Sequence, residues 1–450
     1  MYREPSSNSE PLAAVKRDGR AYNTVWRWHF YAGLFCIPFI IWLSITGALY
    51  LFKPQFEAAM EYPMNHLSVD GAAEPPSRQI AAALAAVPGS VLNAYILPSS
   101  PNAAVRVLVG HDARLMRVYV HPQTLRILKV EDEDGRVMRI LFHLHGELLM
   151  GDRGSMIVEL AASWAIALFI TGIYLWWPRN ARGLGGIAFP RLQRGEFLRW
   201  RDLHAVVGFW VTAFTLFLLV SGLPWAKSWG GMLKEARHWG GRSLAQQDWT
   251  TGRTSELNER RAMNRPRLAS PSAYGAIDRM VPLVVPLHLA SPVLLTPPSL
   301  RSPDWMARSE AQNRTLRVNL VLDAVTGRII SRQNFSDRLL LDRLIGVGVA
   351  AHEGQLFGWL NQFLGVLKAA GLVLMSVSAT VLWLRRKTPD SIGAPDPSGY
   401  RPARGVIALI VVLSLILPML GLSVLLMLVL EYSVLRRSQA ISRYLRLDGQ

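Results

Sequence analysis

Four histidines of this chain fall at matching places in a repeat. His29 and His204 each open a long apolar run, and each is followed four residues later by a glycine (Gly33, Gly208) and eighteen residues later by another (Gly47, Gly222). A second pair repeats as well. His145-Gly-Glu-Leu-Leu-Met-Gly151 lines up with His352-Glu-Gly-Gln-Leu-Phe-Gly358, and Leu175-Trp176 follows at the same offset as Leu382-Trp383. A histidine at a membrane-helix end is costly unless it is hydrated, paired or bound to a metal. Taken singly, such a residue is more often an interfacial side chain bonded to a headgroup or a neighbouring helix. Equal spacing in both halves favours ligation, with two histidines at each end of one bundle as the axial set for two haem irons.

The repeat pairs His29 with His204 for one haem and His145 with His352 for the other. His143 competes with His145, and the match to His352 favours His145. The only cysteine is Cys36, within an apolar run, so there is neither a disulfide framework nor a Cys-x-x-Cys-His attachment site, and the expected cofactor is haem b, two per chain, held without covalent links. Two imidazoles on one iron leave no open coordination position. Such a centre moves electrons and neither activates oxygen nor binds substrate on the metal. Gly33 and Gly208, one helical turn from their histidines, are expected to let a flat macrocycle approach the backbone. No catalytic residue beyond these ligands is assigned.

The elements that position the histidines are membrane spans. Half the residues are hydrophobic, and several runs exceed the roughly 20 residues that cross a bilayer core. Spans are expected at 29–52, 143–177 (apolar from 156, with an outward extension carrying His145), 204–225, 351–384 (apolar from 363, with an extension carrying His352) and 406–432. The first is too long for a removable signal peptide and is expected to remain as an anchor. Arginine and lysine in short loops set orientation. Arg179, Arg182, Arg191, Arg194, Arg199 and Arg201 put the 178–203 loop in the cytoplasm. Lys16, Arg17, Arg20 and Arg27 do the same for the 1–28 segment, as do Arg385, Arg386 and Lys387 for the 385–405 loop. The long connections 53–142 and 226–350 then face outward. A fifth crossing sends Arg436, Arg437, Arg443 and Arg446 of the 433–450 tail outside, against the usual bias, so the tail's side stays open although one long tilted helix is expected despite Pro418 and Gly421. The net charge of +17 lies largely in membrane-flanking loops, where it meets anionic lipid, and nucleic-acid binding is rejected.

In the outward connections, residues 76–88 read as a short helix stopped by Pro88, and Val105–Val109 and Met116–Val120 as strands. Val118–Leu128 reads as strand, turn, strand, echoed by Val318-Asn-Leu-Val-Leu-Asp-Ala-Val-Thr-Gly-Arg-Ile-Ile330. The helix followed by hydrophobic-x-hydrophobic-Asp-x-x-Thr-Gly-x-hydrophobic resembles the PepSY module, and its pairing with His-led spans resembles the PepSY-associated transmembrane family. The likeness covers about 25 to 385 and departs from the pattern at His121 and Leu125, where Asp and Gly are usual. It implies an α-helical polytopic membrane protein, a four-helix repeat bundle plus a fifth helix, with two extracytoplasmic α+β PepSY-like domains.

That family includes inner-membrane ferric-siderophore reductases, such as ferrioxamine reductase. The resemblance therefore implies a bacterial inner-membrane oxidoreductase that passes electrons to a periplasmic ferric siderophore and releases Fe(II). No flavin or nicotinamide domain is present, so the donor is a quinol or a separate reductase. Two rivals stay open: a quinol-linked cytochrome b serving another periplasmic acceptor, and a membrane-anchored PepSY protein that binds peptides or proteases without catalysis. Gly183–Ala188 and Gly346–Ala351 match a dinucleotide fingerprint only loosely and read as turns or helix packing. Trp176, Trp177 and Trp225 read as interface anchors. Glu159 and Lys368 are left between pairing, proton carriage and contact with haem propionates. His66, His111, His121, His238 and His288 lack ligand-like spacing.

Overall fold

In chain order the elements of the computed structural model are α1 (Glu10–Tyr50), α2 (Lys53–Met60), α3 (Pro76–Ala86), β1 (Val91–Ile96), β2 (Val105–His111), β3 (Arg114–Val120), β4 (Ile127–Asp132), α4 (Val137–Glu147), α5 (Gly151–Trp176), α6 (Glu196–Gly222), α7 (Lys227–Trp239) and α8 (Ile277–Val284). There follow β5 (Val293–Thr296), β6 (Trp305–Ser309), β7 (Val318–Leu322), β8 (Ile329–Asn334), α9 (Leu340–His352), α10 (Trp359–Arg386), α11 (Arg404–Ile416) and α12 (Pro418–Ser433). The structure describes residues 10–111, 114–178, 183–239, 271–299, 303–395 and 404–447. Arg179, Arg182 and the side chains of Lys16, Arg17, Arg20 and His238 lie outside the described residues. Among the described residues five segments are long and apolar enough to cross a membrane: Tyr22–Tyr50, Gly151–Trp176, Glu196–Trp225, Trp359–Arg386 and Pro418–Arg437. The chain packs as two units, a bundle unit of Met1–Ile45, Met156–Ala236 and Val366–Gln450, and a sheet unit of Thr46–Ser155 and Arg237–Gly365.

Small residues let the bundle helices approach one another. Cys36, Ile40, Trp164, Phe169, Val211, Leu372, Met375, Leu417 and Leu420 belong to its apolar core. The repeat is visible in the packing. A Cβ on Gly33 would stand 3.7 Å from Leu168 Cδ1, and one on Gly208 would stand 3.3 Å from Met375 Sδ. Leu168 and Met375 are equivalent positions, each twenty-three residues after His145 or His352. The space beside these glycines therefore seats a side chain of the neighbouring helix, and the expected open face for a macrocycle is not there.

The sheet unit corrects the expectation of two separate outward domains. All eight strands form one antiparallel sheet in the order β4-β3-β2-β1-β5-β6-β7-β8. The seam is β1 with β5, where Tyr95 pairs with Leu295 and Ile96 with Leu294. Pairing these two strands removes an unpaired edge from each half, edges that are otherwise open to association. α3 and α8 contribute Ile80, Ala83, Ile277, Met280 and Val284 to a single core with Tyr95, Val107, Trp305 and Leu320. Ser77 N donates to Asp278 at 2.8 Å and ties the two helices together.

The departures from the motif at His121 and Leu125 do not change the turn. Asp323 Oδ1 accepts from Val325 N and Thr326 N at 3.0 and 2.6 Å, and His121 Nδ1 accepts from Gln123 N and Thr124 N, both at 3.2 Å. Leu125 takes the left-handed conformation of Gly327, with φ of 59° against 73°. A ring nitrogen stands in for the carboxylate oxygen, and the leucine bears the strain that glycine avoids.

Two expected continuous helices are interrupted. The extensions carrying His145 and His352 are the separate helices α4 and α9. Between α4 and α5 the chain turns through Leu148 and Leu149 at φ 49° and 58°, and between α9 and α10 through Gly354 and Gly358 at φ 74° and 61°. The expected single helix over 406–432 is also broken, at Leu417 (φ −116°, ψ 92°), because Pro418 lacks an N–H and its ring crowds the preceding turn. α12 turns back along α11 so closely that a Cβ on Gly421 would stand 2.8 Å from Ser414 O. The tail beyond α12 lies beside the loop after α10: Ile392 N donates to Tyr444 O at 3.0 Å, and Arg27 donates to Pro395 O and Arg446 O at 2.5 and 2.9 Å.

Candidate functional site: two histidine pairs

The four histidines meet as two pairs. In the bundle unit the His29 and His204 ring centres are 6.2 Å apart with planes at 77°. In the sheet unit those of His145 and His352 are 6.5 Å apart with planes at 86°. A metal-bound imidazole nitrogen stands about 2 Å from its metal, so two rings facing one ion hold their centres about 6 Å apart. Both pairs have that spacing.

Hydrogen bonding decides which nitrogen is free in the first pair. His204 Nδ1 lies 3.0 Å from Met375 O. A carbonyl only accepts, so Nδ1 carries the proton and Nε2 the lone pair. His29 Nδ1 lies 3.1 Å from Thr171 Oγ1, whose own proton is directed to Ala167 O and Leu168 O, both at 2.9 Å. The threonine oxygen therefore accepts, and His29 has the same tautomer. His145 Nδ1 is held by Thr46 Oγ1 at 2.9 Å. Partners of this kind fix ring orientation in metal-binding histidines.

Two glycines leave room against the rings. A Cβ on Gly172 would stand 3.2 Å from His29 Cε1, and one on Gly47 would stand 3.2 Å from His145 Cε1. Gly47 belongs to the sequence repeat, whereas the place equivalent to Gly172 holds Ala379. Spacing alone gives neither contact, because a glycine on a different helix from the histidine it meets leaves no periodic signal.

The remaining candidates have other work. His143, the rival of His145, is buried with Nδ1 3.2 Å from Glu147 Oε2. His66 is bonded to Tyr62 O at 2.9 Å. Glu159 is buried, and its carboxylate accepts from Ser228 N and Trp229 N at 2.7 and 3.0 Å, capping the N-terminus of α7 where negative charge is favoured. Trp176 stacks on Phe209 at 4.0 Å and donates to Ile187 O at 3.1 Å, while Trp177 is exposed. Gly346 packs on Phe335 within α9, and the 183–188 segment is a turn closed by Gly186 N on Phe189 O at 2.7 Å.

Among the described residues no group of three or more His, Cys, Asp or Glu is placed to hold a metal ion. A porphyrin brings four nitrogens of its own, so a haem would need only two imidazole donors from the protein, and His29 with His204 and His145 with His352 would be the residues to supply them.

The sheet's two halves differ around these sites. In the first half the face opposite the helices is closed by ion pairs: Glu61 meets Arg106 at 2.6 Å, Arg136 at 3.0 Å and Arg117 at 3.5 Å, and Arg117 also meets Glu133 at 2.6 Å. Burial alone would raise the Glu61 pKa, but Arg106, Arg117 and Arg136 together outweigh it and hold the carboxyl below its ordinary value. In the second half the same face carries Met306, Arg308, Asn319 and Val321, all half-buried, and β8 is exposed along nearly its whole length.

No curated protein matches the chain. The model of the PepSY-associated TM region matches residues 26–386, which takes in both histidine pairs and all eight strands and leaves out α11 and α12. Over most of its length, then, this chain belongs to the PepSY-associated transmembrane family.

Proposed function

We propose that the protein is a di-haem reductase of the bacterial inner membrane that passes electrons from the cytoplasmic side to a ferric siderophore in the periplasm. The observation that carries this reading is the metal-width spacing of both pairs, 6.2 and 6.5 Å between ring centres. If bound, each haem b would supply a one-electron couple and would be held by one histidine pair. The protein's part would be to present Nε2 lone pairs from His29 and His204 and imidazoles from His145 and His352, to fix the rings through Thr171, Met375 O and Thr46, and to keep Cβ atoms away at Gly172 and Gly47.

Ferric siderophore is the acceptor that family resemblance suggests. Hard oxygen donors hold Fe(III) far better than Fe(II), so one-electron reduction loosens the chelate and lets Fe(II) leave. The half-open face of the second sheet half supports docking of the chelate in the sheet unit. Electrons come from a quinol or from a separate reductase. Tail contacts with Arg27 and the 392–395 loop support a re-entrant α11–α12 hairpin with Arg436, Arg437, Arg443 and Arg446 in the cytoplasm, in keeping with the positive-inside bias.

The test is to reduce the purified protein with dithionite, remove the excess and add ferric siderophores with a ferrous chelator present. Oxidation of the haem bands in step with Fe(II) capture is expected for at least one siderophore. Haem bands that stay reduced with every siderophore point instead to a cytochrome serving another acceptor, and colourless protein points to a PepSY membrane protein without redox function.

A further inference from the structure

Lys368 takes no part in either site described above. It lies in α10 seven residues before Met375, two turns or about 10.5 Å along the axis from the carbonyl that holds His204. Lys368, Leu372 and Met375 share one face of the helix, and the last two are core residues of the bundle unit. Leu367, Leu374 and Val377, around the other side, are exposed. Lys368 itself is half-buried on that face. One residue on from that face, Gly371 meets Val211 of α6 so closely that a Cβ would stand 2.7 Å from its Cγ1.

Among the described residues the ammonium of Lys368 makes no hydrogen bond or ion pair. Glu159, a buried carboxylate of α5, is already bonded to the α7 amides. The position equivalent to Lys368 in the first half is Ala161, each standing sixteen residues after its histidine, and Ala161 is buried. The charge is thus present in one half of the repeat only. An uncompensated ammonium within a span costs several kcal/mol, which makes its presence without a protein partner the feature to explain.

We infer that Lys368 is the fixed cation that compensates the electron carried at the His29/His204 centre, an inference that rests on the haem reading above. Ferric iron takes one electron and becomes ferrous with no proton bound, so one negative charge is added in a medium of low dielectric. A fixed cation two helical turns from Met375, whose carbonyl holds His204, would lower the cost of that addition more than it would in water. The ferrous form is favoured, and the midpoint potential of this centre is raised.

The test is a mediated redox titration of the detergent-purified protein, with dithionite as reductant and ferricyanide as oxidant, following the haem bands. Wild type is compared with Lys368→Met, Lys368→Gln and Lys368→Arg, and His204→Ala identifies which bands belong to the His29/His204 centre. In Lys368→Met and Lys368→Gln the ferrous-to-ferric ratio of that centre at a fixed potential is expected to fall about tenfold, which is about 59 mV for a one-electron couple. Lys368→Arg is expected to stay near wild type, and haem content is expected to be unchanged in all three. An unchanged midpoint in Lys368→Gln, or a shift confined to the other centre, overturns the inference even if Lys368→Met does not fold. Wild-type protein without haem bands overturns the reading beneath it instead.

Discussion

The two histidine pairs are alike in spacing and unlike in support. His29 and His204 lie well inside the long helices α1 and α6, backed by a hydroxyl and a carbonyl from neighbouring helices. His145 and His352 each stand in the last turn of a short helix. The C-terminal end of a helix carries partial negative charge, which favours the more positive state of whatever is bound there. Were haem bound as proposed, these helix ends would bias the His145/His352 centre toward the ferric state, and Lys368 would bias the His29/His204 centre the other way. On that proposal one ligand set would be tuned in opposite directions by the backbone and charges around it.

The largest effect expected on this comparison comes from removing a ligand. His29→Ala and His204→Ala should each lower haem content from two per chain to one, as should His145→Ala and His352→Ala, and the two classes should leave different midpoints behind. Identical residual midpoints would show that the two environments do not differ. A smaller effect is expected from the glycines. Gly172→Val should disturb the low-spin bands of the His29/His204 centre alone and Gly47→Val those of the other, since a Cβ at either already falls 3.2 Å from an imidazole carbon. Equal disturbance of both centres by one variant would break the pairing of glycine with site.

The smallest effect is one of stability. Because Glu61 is held below its ordinary pKa, its contribution is present above about pH 4.3 and is lost as pH falls through the lower folded value. Glu61→Gln should cost the sheet unit about 2 kcal/mol at neutral pH. The His145/His352 centre should then lose haem at a lower temperature than the His29/His204 centre, with less further loss on acidification. Thermal release of haem followed at both sets of bands checks this.

Much of this was legible because it repeats. The register of His29 with His204 and of His145 with His352 gives the pairs, and alternation over Val105–Val109, Met116–Val120 and Val318–Ile330 gives β2, β3, β7 and β8. The short strands β5 and β6 carry weaker alternation, and the seam of Tyr95 with Leu295 joins residues 200 positions apart without any local signal. Leu148 and Leu149 break the α4–α5 path in left-handed conformations that leucine does not advertise. At His121 a motif residue is replaced while its hydrogen bonds are kept, so the letter changes and the turn does not. Glu159 reads as a membrane carboxylate open to pairing, proton carriage or propionate contact, and backbone amides of α7 donate to it.

The most direct measurement is a pyridine haemochrome assay with a visible spectrum on protein purified in detergent after expression with ample haem supply. Two haem b per chain, both low-spin, is the result expected from rings 6.2 and 6.5 Å apart. Folded protein without a Soret band would contradict the account.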